Sequence, residues 1–223
     1  MAEPDATDGT ERLLLDALLR YEDDDHEGVV ELLDGALDEG RRDSAALGSL
    51  WALRVLSRRE VAGVEDLAVT DLADLLDPRG STEFVAAAGS LLSQEDEHEA
   101  AQVILEQLCK RELGGERHLA LYQLGLARQR AMDLSNAEEA FAECVRAAPE
   151  WPQGHLQRAR CARDAGELDD AIRHQCHYLA LVPDDHDEWV TLAILHSSLR
   201  DWDAAEAAYG RAESIEAGSP LLL

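Results

Sequence analysis

The sequence predicts an all-α protein, an α-solenoid of about five antiparallel helical hairpins. Three observations predict it. The first is a 34-residue spacing that recurs from His118 to about Ala217. Ala137, Ala171 and Ala205 are separated by 34 residues, as are Pro149 and Pro183, and so are Gly125, Ala159 and Ala193. A period in this range marks stacked supersecondary units. The second is composition: 46% of the 223 residues are hydrophobic, Ala and Leu dominate them, and only 4% of the chain is aromatic. Ala and Leu are strong helix formers, and this mix suits closely packed helices better than sheets. The third is that apolar residues recur at helical spacing between Gly, Pro and acidic breaks.

Taken in order, residues 1–9 are polar and are read as a disordered N-terminus. Thr10 is placed to cap a helix carrying Leu13, Leu14, Ala17 and Leu18 as far as Tyr21. The acidic run Glu22–Glu27 suits the positive end of a second helix, which presents Val29, Val30, Leu33, Ala36 and Leu37 and stops at Gly40. Asp43 or Ser44 opens a third helix through Leu47, Leu50, Leu53 and Leu56. Residues 57–63 read as a long turn, and a helix from Val64 to about Asp77 ends at Pro78 and Gly80. Residues 10–80 therefore form two degenerate hairpins. The register tightens over 82–115, where Ala88–Gly89, Ala101, Leu105 and Leu108 hold repeat positions and Gly114–Gly115 reads as a two-residue insertion. Units at 118–151, 152–185 and 186–217 follow, then a tail, 218–223, that ends in Leu221–Leu223. No linker divides the chain, so one continuous array is expected.

These residues carry a family resemblance. Leu124-Gly125, Ala137-x3-Phe141 and Pro149 match the tetratricopeptide repeat in one unit, and Ala171, Tyr178 and Pro183 match it in the next. Trp189-x2-Leu192-Ala193, Ala205-x3-Tyr209 and Ala212 match it in the last. The resemblance is specific over about 82–217 and weaker over 10–80. It implies a right-handed superhelix in which small residues let paired helices approach and large ones fill the space between hairpins. Two positions depart from the pattern: Arg158 stands where leucine is expected, and Gln175 where an aromatic is expected. The 152–185 unit should be the loosest, or these polar groups should find partners.

Charge narrows the function classes. The net charge is −27, with 47 acidic residues against 20 basic ones, of which only Lys110 is lysine. A nucleic-acid binder is normally basic, so that class is disfavoured. A solvated acidic coat, a surface for basic partners and adaptation to molar salt compete to explain the excess. Because the excess is spread along the chain, salt adaptation of a halophilic type is the reading we adopt. Neither a secretory signal nor a long apolar run occurs, which points to a cytoplasmic protein without a membrane span. Cys109, Cys144, Cys161 and Cys176 lack CxxC or disulfide-framework spacing and read as small buried helix residues. His174, Cys176 and His177 share a helix, but spacing supplies no further ligand, so they read as solvated helix residues with no metal. Phosphate-loop, GxSxG and HExxH motifs are absent from the sequence, and no enzyme or cofactor is expected.

Residues 110–163 carry 9 basic and 7 acidic residues and are the only stretch where the acidic excess lifts. The resemblance places the first helix of each hairpin on the concave face. By that resemblance Tyr122, Gln123, Leu126, Arg130, Gln157, Arg160 and Arg163 form a peptide- or protein-binding face. Arginine forks can grip carboxylates, so a partner with an acidic segment or a C-terminal carboxylate is expected, unless the arginines pair with the chain's own acids. The carboxylate clamp that some family members use for chaperone tails needs Lys and Asn where this chain has residues such as Tyr122, Leu126, Leu156 and Gln157, so that partner is disfavoured. The expected function is a non-catalytic scaffold or adaptor. The alternative is a structural subunit that packs into a homo- or hetero-oligomer through its terminal hairpins.

Overall fold

A computed structural model describes residues 6–37, 44–63, 72, 75, 80–111 and 113–218. Among these residues there are eleven α-helices and no strand. They are α1 (Ala6–Glu22), α2 (His26–Ala36), α3 (Ala45–Ala62), α4 (Thr82–Gln94), α5 (His98–Cys109), α6 (Arg117–Arg130), α7 (Leu134–Ala147), α8 (Pro152–Asp164), α9 (Leu168–Leu181), α10 (His186–Ser198) and α11 (Trp202–Gly218). A single 3-10 turn, Gly114–Glu116, holds the two extra glycines. The helices fall into two compact units, Met1–Ala137 and Glu138–Leu223.

One turn is used again and again. Asp24, Asp96, Met132, Gly166 and Arg200 all have positive φ, between 59° and 80°. The amide of the residue after each donates five residues back: Asp25 to Arg20 O, Glu97 to Leu92 O, Asp133 to Arg128 O, Glu167 to Ala162 O and Asp201 to His196 O. This is the Schellman closure of a helix C-terminus, in which a left-handed residue lets the chain reverse. Met132, Gly166 and Arg200 lie 34 residues apart, and Asp96 precedes Met132 by 36, so the two-residue insertion is visible in the backbone itself. The residue after each turn is acidic. Asp25 accepts from Gly28 N at 3.0 Å, and Asp133 and Asp201 reach Asn136 N and Ala204 N at 3.5 and 3.4 Å. Part of the acidic excess therefore caps α2, α7 and α11 and meets their dipoles, whereas Glu97 and Glu167 make no side-chain cap bond.

In the first unit α3 packs on α1, α2 and α4, and α4 packs on α5 and α6. Trp51, Phe84, Leu50, Leu53, Leu92, Ile104 and Leu105 are fully buried there. A Cβ on Gly48 would strike the carbonyl oxygen of Phe84, so glycine sets the close approach of α3 and α4. Ser44 and Ser81 cap their helices through Leu47 N and Phe84 N. Two boundaries differ from the sequence reading. The α1 helix begins at Ala6, ahead of Thr10. Residues 57–62 continue α3 and are not a turn, because Ser57 is buried within the helix packing and Gly63, at φ 65°, supplies the stop. Of the helix expected from Val64 to Asp77, only Leu72 and Leu75 are described, and both are buried; the rest, Gly40 and the Leu221–Leu223 tail lie outside the described residues.

In the second unit α8 packs on α9, α9 on α10 and α10 on α11. Tyr178, Leu179, Leu192, Ala193 and Ala208 form its main apolar cluster, joined by Leu156, Ile172, Val182 and Trp189. The two polar departures both find partners. Arg158 donates from Nε and a terminal nitrogen to Glu138 Oε1, at 3.1 and 2.7 Å. Gln175 is 1% exposed and donates to the Glu188 carbonyl and to Glu188 Oε2, at 3.0 and 2.9 Å. Pairing offsets the desolvation that an unpartnered amide would suffer.

Candidate functional site

Among the described residues of the first unit an open concavity lies on α3, α4 and α6, with a volume of about 330 Å³. Each helix contributes one stripe at helical spacing. From α3 come Ala45 and Ser49, four residues apart; from α6 come Leu119 and Gln123, again four apart. The longest stripe runs along α4, through Glu83, Ala86, Ala87, Ser90 and Gln94, with Leu91 beside it. The space exists because Ala86, Ala87 and Ser90 at the middle of this stripe are small. Positions at i, i+3, i+4 and i+7 share a helix face, and Ala and Ser there leave side-chain volume unfilled. The wall is mostly apolar, with two hydroxyls, two amides and one carboxylate. The volume is at the lower end for ligand sites and fits a few side chains. Glu83 is exposed and has no cationic partner among the described residues, and Gln123 Oε1 is buried without a hydrogen-bond donor.

Among the residues expected to bind, Gln123 lines this groove. Tyr122, Leu126 and Arg130 are its neighbours on α6; Tyr122 and Leu126 are half-buried, and exposed Arg130 donates to Ser93 Oγ at 3.3 Å. Gln157, Arg160 and Arg163 belong to α8 in the second unit, where Gln157 is buried. Arg160 donates to Glu188 Oε1 at 3.1 Å, and Arg163 to Asp164 Oδ1 at 3.2 Å. Both cations therefore meet carboxylates of their own unit.

Sequence reasoning passed over the α4 stripe, although the signal was present. Counting back 36 residues, the repeat plus the two-residue insertion, carries Tyr122, Gln123, Leu126 and Arg130 onto Ala86, Ala87, Ser90 and Gln94. The same register was thus occupied by small residues one repeat earlier.

In the second unit Glu188 joins three helices, accepting from Arg160 of α8 and Gln175 of α9 while standing on α10. Tyr178 donates its hydroxyl to Asp185 Oδ2 at 2.7 Å, and burial followed by this acceptor pushes its pKa up to about 12. The histidines correct an expectation. His174 is buried, not solvated, and burial, then Arg158 and Arg173, lowers its pKa to about 4. His177 is exposed, and its ring stacks on His155 at 5.3 Å between centroids. Among the cysteines Cys144 is buried, with burial raising its pKa to about 12, whereas Cys176 is exposed, against expectation. Among the described residues no group of three or more His, Cys, Asp and Glu could hold a metal ion, and no helix is long and apolar enough to cross a membrane.

No protein-family model matches the chain, and no curated protein matches it. Solved structures do match. A crystal structure of MamA protein is 17% identical, over 79% of this chain and 97% of that one, with a TM-score of 0.59. MamA 41-end from Desulfovibrio magneticus RS-1 is 15% identical, over 78% of this chain and 97% of that one, with a TM-score of 0.55. Pseudomonas aeruginosa pilF is 18% identical, over 96% of this chain and 94% of that one, with a TM-score of 0.55. Both MamA and pilF are tetratricopeptide-repeat proteins. The 34-residue period, the recurring hairpin turn and these neighbours converge: the chain has the tetratricopeptide-repeat fold.

Proposed function

We propose that this protein is a non-catalytic interaction scaffold that holds a segment of another protein in the groove of its first unit. The observation that carries the reading is the Ala and Ser stripe of α4, which leaves a concavity where its own side chains could have filled the space. Gln94 and Gln123 supply donors and acceptors suited to a peptide backbone, and Leu91 and Leu119 supply apolar contact. Tyr122, Leu126 and Arg130 extend the face along α6. Selection of a random-peptide display library on the full chain and on an Ala87→Trp variant tests the reading. Sequences enriched on the chain should be lost on the variant while its helicity stays unchanged. Equal enrichment on both removes the groove as the binding site.

A structural-subunit reading is favoured by a different observation. Ile194, Leu199, Trp202 and Tyr209 on the last hairpin are 52%, 42%, 63% and 41% exposed. Exposed apolar groups of this size suit a packing surface. Light scattering at molar salt that gives a monomer mass counts against it. We further infer salt adaptation from the charge of −27 and the single lysine. In dilute buffer, where the screening length grows from ~3 Å at 1 M to ~30 Å at 0.01 M, far-UV circular dichroism should show lost helicity.

A further inference from the structure

We infer that the segment held in the first unit's groove is basic and apolar, with a Lys or Arg side chain meeting Glu83. The inference rests on the scaffold reading and names the partner of that groove. Three observations carry it. Glu83 stands at one end of the α4 stripe, exposed and without a cationic partner among the described residues. Among the described residues no arginine or lysine lines the groove, so the acidic segment or C-terminal carboxylate expected from the sequence meets no cation among them. The surrounding field has the same sign, because residues 1–137 carry 13 basic and 30 acidic residues. At molar salt that field is screened within ~3 Å, so the acidic excess acts by contact and does not steer a partner from a distance.

The rest of the groove fixes the remaining chemistry. Ala86, Ala87 and Ser90 leave depth for apolar side chains that Leu91 and Leu119 can contact. Gln123 Oε1 makes no hydrogen bond within the protein, and turning its amide about the last torsion offers that carbonyl to a peptide N–H. A chain segment with a basic residue beside apolar ones satisfies the carboxylate, the amide and the apolar wall together.

The test uses the full chain at a salt concentration where its helicity is complete. The random-peptide library selected on it should yield sequences in which Lys or Arg neighbours apolar residues. A synthetic peptide of the selected sequence should bind about three- to fivefold more weakly to Glu83→Gln and about tenfold more weakly to Glu83→Lys, the scale of a single rim charge pair and its reversal. Replacing the peptide's basic residue with Glu should restore binding to Glu83→Lys. Helicity of both variants should match the parent, since Glu83 is exposed. Acidic peptides that are enriched yet lost on Ala87→Trp overturn this inference and leave the groove as a binding site. Basic peptides indifferent to both Glu83→Lys and Ala87→Trp overturn it and the groove together, since they then bind the general acidic surface. Absence of any enriched peptide overturns the scaffold reading in its peptide form, and this inference with it.

Discussion

Two first helices of hairpins, α4 in one unit and α8 in the other, use one register in opposite ways. On α4 the positions equivalent to Tyr122, Gln123, Leu126 and Arg130 hold Ala86, Ala87, Ser90 and Gln94, and space remains. On α8 the same positions hold Leu156, Gln157, Arg160 and Asp164; Arg160 reaches Glu188, and Asp164 accepts from the adjacent Arg163. The repeat dictates where a helix runs and how it turns. Whether one of its faces is available depends on side-chain volume and on whether the charges there already have partners. A charge census along the sequence singled out residues 110–163, which hold α6 and α8, because arginines are conspicuous and alanines are not. In the folded protein the conspicuous residues are engaged and the inconspicuous ones border the open groove.

This contrast can be broken by substitution, beginning with the largest expected effect. Gly48→Ala should destabilise the first unit by about 3 kcal/mol or more, since its methyl group meets the Phe84 backbone, which cannot turn aside. Gly154→Ala in the second unit should change stability by about 1 kcal/mol or less, because the nearest atom, Val145 Cγ2 at 3.0 Å, is a side-chain methyl that can shift. Urea unfolding of each variant measures the difference.

Acid should act on the second unit through His174. Its folded pKa of about 4 lies below the ordinary imidazole value of 6.5, so the unfolded chain takes up the proton first. The stability contribution is complete above about pH 6.5 and is lost as pH falls towards 4, by up to about 3 kcal/mol. Asp170 opposes the shift, while Arg158, Arg173 and His155 reinforce it. A His174→Leu variant should lack this part of the pH slope when unfolding is followed at pH 7 and pH 4.5. An unchanged slope removes His174 as the cause.

Glu188→Ala should cost the second unit about 1–2 kcal/mol, because Gln175 keeps only its bond to the backbone carbonyl and Arg160 loses its carboxylate. The smallest effect should be a gain. Arg200→Gly should stabilise by about 0.5–1 kcal/mol, since Arg200 holds φ 61° without glycine's freedom, whereas Gly166 at the equivalent turn already has it.

Much of the fold was legible. The 34-residue spacing of Ala137, Ala171 and Ala205 recurs in the folded chain, where α7, α9 and α11 begin 34 residues apart at Leu134, Leu168 and Trp202. The hairpin turns were not legible by residue type. Met132 and Arg200 are poor candidates for positive φ, and the conformation there is imposed by the closing hydrogen bonds of the preceding helix. The end of α3 was misplaced because the arginines and glutamate of 58–60 look like a turn. In the folded chain they are helical, with Arg58 on Asp34 at 2.6 Å and Arg59 paired with Glu97 and Glu60. Of the groove's lining, Gln123 is among the residues singled out from the sequence and the α4 stripe is not, since reaching it required carrying the register across Gly114–Gly115. That Arg160 meets Glu188 depends on residues 28 apart, a separation no local pattern encodes.

The most direct measurement is the affinity of one selected peptide for two variants of the full chain, followed by fluorescence anisotropy. Ala87→Trp fills the groove of the first unit, and Arg160→Ser with Arg163→Ser strips the arginines of the second. An open first-unit groove predicts at least about a tenfold loss of affinity with Ala87→Trp, the scale of a blocked central contact, and no change with the double variant. Full affinity for Ala87→Trp together with loss on the arginine variant would contradict it.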